Sequence, residues 1–248
     1  MNKARLNFSL LLFLFSAILF HSCKSRATVP LKKQGVLIFS LTKGYHHASI
    51  ANGIEAFQKM GSENGFQVDT TADVRAFTSE NLKKYKALIF LSPTGTSVFN
   101  DDQKQALKYY VNQGGGILGI HAATDFCYEW EWYGQMMGAF FLKHPKIQEA
   151  KLNITMPEHK INSGLPQPWV HTDEWYNFKY VNPSIHVLIK IDETSYTGGS
   201  MNNNHPISWF HEFEGGKIFY TALGHTKECY TDPLFLKHVL AGLKWVMQ

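Results

Sequence analysis

Cysteine is scarce in this sequence. Of the three, Cys23, Cys127 and Cys229, only the last two lie in the body of the chain, at no framework spacing, so a single pairing stays open but a disulfide framework has no support. A block of Lys and Arg is also missing: the formal net charge of +4 is small and partly N-terminal, so nucleic acid is not expected as a partner. No Gly-x-Gly-x-x-Gly follows the first strand and there is no Walker loop, so dinucleotides and nucleoside triphosphates have no recognisable seat. Neither Gly-x-Ser-x-Gly nor a cysteine stands where a strand runs into a sharp turn, which leaves no elbow nucleophile.

The longest apolar run, Leu6 to Phe20, falls short of the roughly 20 residues needed to span a bilayer. Lys3 and Arg5 precede it, and Ile18-Leu19-Phe20-His21-Ser22-Cys23 follows in the pattern of a lipobox. Residues 1–23 therefore read as a secretory signal with lipidation at Cys23, residues 24–34 as a polar, basic tether and residues 35–248 as one domain. The expectation is an exported, membrane-anchored lipoprotein facing the periplasm, its membrane partner reached through the lipid.

The domain alternates strands and helices. Gly35–Ser40 is a short apolar run of the kind buried on both sheet faces, and Phe66–Thr71, Ala87–Leu91 and Ile117–Ile120 read as the next three strands. Between them lie helical stretches after the loop Leu41–His47 to about Asn64, near Thr78–Tyr85 and over Asp101–Asn112. This order predicts βαβ units and a mainly parallel sheet. Further on, Lys151–Thr155 and His186–Ile191 read as strands, Ile207–Phe213 with Lys217–Ala222 as a hairpin, and Pro233–Met247 as the closing helix. Segments 122–147 and 156–180 read as long loops, which often carry function.

In an open parallel sheet a ligand sits beyond the carboxyl ends of the strands. The loops there carry Lys43 to His47, Thr94 to Thr96, and His121 to Asp125. With no nucleophile, chemistry falls to imidazoles and carboxylates, which serve as acid–base groups or as ligands of a divalent metal. His121 and Asp125, four apart, face one way if the turn after strand four is helical, and they are the metal candidates. His46, His47 and Glu174 join them as catalytic candidates, and His144, His205, His211 and His225 add further imidazoles. Aromatics reach 14%, and Trp130, Trp132, Trp175 and Tyr176 lie among acids in the long loops, an arrangement suited to the apolar faces and hydroxyl edges of a sugar. Tyr45, Thr94 and His225 complete the expected substrate contacts.

Lys43-Gly44-Tyr45-His46-His47-Ala48-Ser49-Ile50 resembles the Lys-Gly-aromatic-x-His-Ala-Ser segment of ThuA-like (trehalose-utilisation) proteins. Phe77-Thr78-x-Glu80-Asn81-Leu82, Gly114-Gly115-Gly116-x-x-Gly119-Ile120-His121-Ala122-Ala123-Thr124-Asp125 and Trp132-Tyr133-Gly134 match in order. So do Asp173-Glu174-Trp175-Tyr176-Asn177-Phe178, His205-Pro206-Ile207-x-Trp209 and Tyr220-Thr221-Ala222-Leu223-Gly224-His225-Thr226. The resemblance implies a flavodoxin-like, class I glutamine-amidotransferase-like α/β sandwich in which His121 occupies the position of the superfamily's elbow cysteine. Amidotransferase activity is therefore not expected. It further implies use of trehalose or related disaccharides, in routes that pass through a 3-keto sugar. Three readings follow: cleavage of a 3-keto glycoside by acid–base or metal-assisted chemistry, carbohydrate binding without catalysis, or a metal-dependent amidase or esterase.

Overall fold

The computed structural model describes residues 35–248; the signal, lipobox and tether lie outside the described residues. The first half follows the apolar runs. β1 (Gly35–Phe39) and β4 (Gly116–Ile120) are buried at every position, as expected of strands covered on both faces. β2 (Gln67–Thr71) lies beside β1 on one side and β3 (Tyr85–Leu91) on the other. Strand order then continues to β4 and to β11 (Gly216–Thr221), and all four of these pairings are parallel. The order β2-β1-β3-β4-β11 is the doubly wound, flavodoxin-like arrangement, with strand order reversing at β1 and β3.

Helices α1 (Ile50–Asn64), α2 (Ser79–Leu82), α3 (Asp101–Asn112) and α5 (Pro233–Val246) connect and cover these strands. Local chemistry sets their ends. Gly65 closes α1 with φ 78°, a left-handed cap that glycine adopts without a Cβ clash. Asn100 and Gln103 form a reciprocal capping box on α3, and Asp101 and Asp102 sit in its first turn, where the helix dipole favours acids. Asp232 caps α5 with Pro233 just inside. α5 lies so close to the sheet that a Cβ on Gly242 would stand 2.2 Å from the Phe219 ring, and one on Gly116 2.1 Å from the Val246 carbonyl.

Beyond β11 the sheet turns antiparallel: β10 (Pro206–Phe213), β9 (His186–Ile191), β6 (Gln148–Ile154) and β7 (Trp169–Asp173) complete nine strands. The stretches read as long loops are largely structured. Segment 122–147 contains α4 (Glu131–Met137) and β5 (Ala139–Lys143), and 156–180 contains β7 and most of β8 (Asn177–Val181). β5 and β8 pair as a separate two-stranded ribbon, which brings the two segments together near the sheet's carboxyl ends. No helix among the described residues is long and apolar enough to cross a membrane.

Candidate functional site

Three loops are laced at the carboxyl ends. Lys43 N–H donates to the Thr94 carbonyl at 2.9 Å, Thr94 N–H to the Leu41 carbonyl at 3.1 Å, and Cys127 N–H to the Gly95 carbonyl at 2.8 Å. Thr94 Oγ1 accepts from Gly44 N–H and donates to the Tyr45 carbonyl, so this buried threonine fixes the loop that carries His47. Gly95, at φ 124°, is required here because a Cβ would stand 2.8 Å from that of Lys43.

His121 begins a 3-10 turn directly after β4 and holds φ 47°, the left-handed region uncommon for a side-chain-bearing residue. Its ring is fully buried. Nδ1–H donates to the Ala222 carbonyl at 2.8 Å, which turns Nε2 towards His225 Nδ1 (3.1 Å) and Glu174 Oε2 (3.5 Å). The Tyr176 ring packs on it at 4.1 Å between centroids. His225 Nδ1 lies 3.2 Å from the same carboxylate oxygen, and His144 Nδ1 3.0 Å from Oε1. His47 closes the group edge-on, with ring centroids 4.8 Å from His121 and 5.2 Å from His225. One ligand-competent atom from each of His47, His121, Glu174 and His225 lies within 4.8 Å of the others.

Electrostatics follow from this packing. Burial drives the His47 imidazole down to about 3, helped by the neighbouring His121 and His225. Burial alone would raise the Glu174 carboxyl, but hydrogen bonds from His121 and His225 and their charge outweigh it and hold it well below its ordinary range. For His225 burial pulls down, and the Glu174 hydrogen bond and charge win, so its pKa is raised. Asp125 is raised by burial despite the Tyr128 hydroxyl donating to it at 2.6 Å. Ionised glutamate amid imidazoles and a reluctant carboxyl nearby are the perturbed groups expected of a reactive cleft.

Tyr45, His47, Asp125, Phe141, His144, Glu174, Tyr176 and His225 line a cavity of about 240 Å³. A second, of about 370 Å³, adjoins it and shares Tyr45 and Asp125 as walls, with Lys43, Thr94 and Tyr128 beyond. Of the expected site residues, the structure thus gathers Tyr45, His47, His121, Asp125, Glu174, Tyr176 and His225, with Thr94 in the adjoining cavity. His46 is exposed, hydrogen-bonded to Thr42, and lines neither cavity. Asp125 is not part of the four-residue cluster that holds His121, so the expected metal pair of His121 with Asp125 does not form; the turn between them is too short to stack them.

The indoles lie elsewhere. Trp130 and Trp132 stack on each other at 5.0 Å, beneath Lys104 and Lys108 of α3. Trp132 Nε1–H donates to Glu214, and Trp175 is fully buried with its N–H on the Gln148 carbonyl. None of the three lines either cavity. His144 is the wall residue that the sequence signalled only by its place before Pro145.

Asp173, at the end of β7, is the clamp behind the site. Its Oδ1 accepts from Glu174 N–H (2.9 Å) and its Oδ2 from Gly224 N–H (2.8 Å), which ties the segment carrying Glu174 to that carrying His225. The Cys229 thiol also donates to Oδ2 at 3.2 Å, and His171 Nδ1 lies 3.3 Å from Asp232, so this second polar group is already internally paired. Cys127 and Cys229 are free and buried. Burial pushes the Cys127 thiol up to about 12 and raises that of Cys229 as well, the opposite of an activated nucleophile.

The ThuA family model, described as trehalose utilisation, matches residues 35–246. The chain belongs to the ThuA family. This ThuA-like chain therefore carries the family's link to trehalose utilisation, and no curated protein matches it. Among solved structures, a Bacteroides uniformis protein described as ThuA-like superposes with a TM-score of 0.71 at 23% identity, covering 86% of this chain and 91% of that one. One from Parabacteroides merdae gives 0.69 at 18%, covering 87% and 90%. A β-galactosidase from Bacillus circulans gives 0.56 at 12% over 87% of this chain but only 30% of its own. At these identities the likenesses establish the fold alone.

Proposed function

We propose that this ThuA-like protein is an enzyme of carbohydrate catabolism that cleaves a disaccharide-sized glycoside, of the 3-keto type, by acid–base chemistry. The observation that carries the reading is the pair of adjoining cavities, about 240 and 370 Å³, that share Tyr45 and Asp125 as their boundary. Each suits one sugar ring, and in this reading the glycosidic bond lies beside Asp125. No nucleophile is needed. A ketone at C3 acidifies the C2 proton, a base removes it, the C1–O bond breaks as the C1–C2 double bond forms, and the leaving oxygen takes a proton. Water added later across the double bond gives net hydrolysis.

In this reading the carbonyl lies over the cluster, where the N–H groups of His47 and His225 stabilise the negative charge that develops on its oxygen. His144 is the base: its Nδ1–H is held by Glu174, so its other nitrogen is free to accept. Asp125, its carboxyl raised by burial, protonates the leaving oxygen. We further propose that the lipid on Cys23 holds this enzyme at the cell envelope, on the periplasmic side. Purified protein incubated with 3-keto and unoxidised disaccharides tests the chemistry. The expected result is release of one sugar and an unsaturated keto sugar from the oxidised substrate only, and, in D₂O, deuterium at C2 of the keto sugar formed when water adds. Binding of both sugars without turnover would replace this reading with a carbohydrate-binding role.

A further inference from the structure

We propose that His47, His121, Glu174 and His225 form a binding site for one divalent first-row transition-metal ion. The inference deepens the reading above, because the ion would act where the sugar carbonyl is polarised, but ion binding is measured without any sugar. Three observations carry it. First, spacing: a tetrahedral ion with ligands at 2.0–2.1 Å sets them about 3.3 Å apart. The atoms here are separated by 3.1 Å (His121 Nε2 to His225 Nδ1), 3.5 Å (His121 Nε2 to Glu174 Oε2) and 3.2 Å (His225 Nδ1 to Glu174 Oε2).

Second, support. The other nitrogen of His121 donates to the Ala222 carbonyl at 2.8 Å, the usual way a ligating histidine is oriented with its free nitrogen turned to the ion. The second oxygen of Glu174 rests on His144, and Asp173 fixes the backbone of both the Glu174 and His225 segments. Third, His47 is 3% exposed and its Nδ1 has no hydrogen-bond partner, an uncompensated polar burial that a cation at this cluster would help relieve. Imidazole with a single carboxylate favours zinc and its neighbours over magnesium or calcium, which prefer all-oxygen shells. Tyr45, Asp125 and His144 border the cavity side of the cluster, which gives substrate oxygen access to the ion as a fifth ligand, an expansion that catalytic zinc sites undergo.

The test is the metal content of the purified full chain by plasma mass spectrometry, followed by chelation and titration with Zn²⁺ and with Co²⁺. The expected result is close to one ion per chain, tetrahedral Co²⁺ absorption bands, and a loss of affinity beyond about 100-fold in Glu174→Gln and in His225→Gln, exceeding that typical of outer-shell changes. Asp125→Asn keeps the ion. Circular dichroism and urea midpoints establish that the variants are folded, and the two independent variants guard against one that is not. Failure of the wild-type chain to bind either ion overturns the inference, as does binding that neither substitution weakens. Full turnover by chelated, metal-free protein overturns the ion's part in polarising the carbonyl and spares both the binding site and the enzyme; a loaded site with no turnover of the keto glycoside spares the site and overturns the enzyme.

Discussion

Replacing His121 separates what the residue does for the fold from what it does for the site. The ring is fully buried, donates to the Ala222 carbonyl at 2.8 Å and packs against Tyr176 at 4.1 Å. It is therefore not a cleft-surface imidazole that could be removed at little cost. His121→Ala leaves a buried carbonyl unpartnered, at about 1–3 kcal/mol, and loses the packing with Tyr176 and His47. The expected sum is about 3 kcal/mol, or a Tm lower by roughly 6–12 °C for a domain of this size. His121→Asn behaves differently. Asn tolerates the positive φ of 47°, and its amide N–H can stand where Nδ1 stands, so stability stays within about 1 kcal/mol of the parent. Both variants lose the Nε2 that faces Glu174 and His225, and both lose about 10²–10⁴-fold in turnover, the scale of one acid–base or electrostatic group. Urea unfolding and turnover on the keto glycoside, measured on the same preparations, decide it. A fully active Asn variant, or an Ala variant with parental Tm, refutes the reasoning.

Three further outcomes are expected. His47 and His238 are held down to about 3 and about 4 by burial. The unfolded chain therefore binds protons below pH 6.5 that the fold refuses, and stability falls as pH drops from 6.5 towards 4. The slope reaches about 1.4 kcal/mol per pH unit for each of the two protons, and a flat urea midpoint across that range would contradict the burial of these rings. Trp132→Ala should leave KM and kcat for the sugar unchanged, since the indole faces Lys108 and Glu214 and not a cavity; a raised KM would move the site. Cys23→Ser should shift the chain from the membrane to the soluble envelope fraction, and unaltered partitioning would remove the proposed lipid anchor.

The parallel half of the fold was legible because its inner strands β1, β3 and β4 are short apolar runs and its helices carry their own punctuation, such as Gly65 and the Asn100–Gln103 box; the polar, largely exposed β2 was placed by the helix before it. The ribbon β5–β8 and the edge strand β7 were not. Trp169 and Asp173 are buried at the ends of β7 while Val170 and Thr172 face outwards, but His171 and the flanking polar residues mask that alternation. The four cluster residues were each named from their types and their place after strands or in long segments. Their association was not legible: the antiparallel extension that returns Glu174 to His121 is set by pairings over large sequence separations. The spacing of His121 and Asp125 misled because the intervening turn is 3-10 and ends at once. The loop tryptophans misled because aromatic area beside acids serves packing as readily as sugar binding.

β7 is the last of nine strands and is paired in the sheet only through β6, yet Glu174 follows it directly. Edge elements open at a lower free energy than the whole fold. The carboxylate is thus mounted on one of the sheet's most easily released strands, while His121 stands at its centre. Inactivation by urea should run ahead of global unfolding, because lifting β7 and breaking the Asp173 bonds to Glu174 and Gly224 is enough to withdraw the carboxylate. A ligand bridging Glu174 to the central imidazoles would act as a rivet, closing the gap between the two curves by RT ln(1 + [L]/Kd).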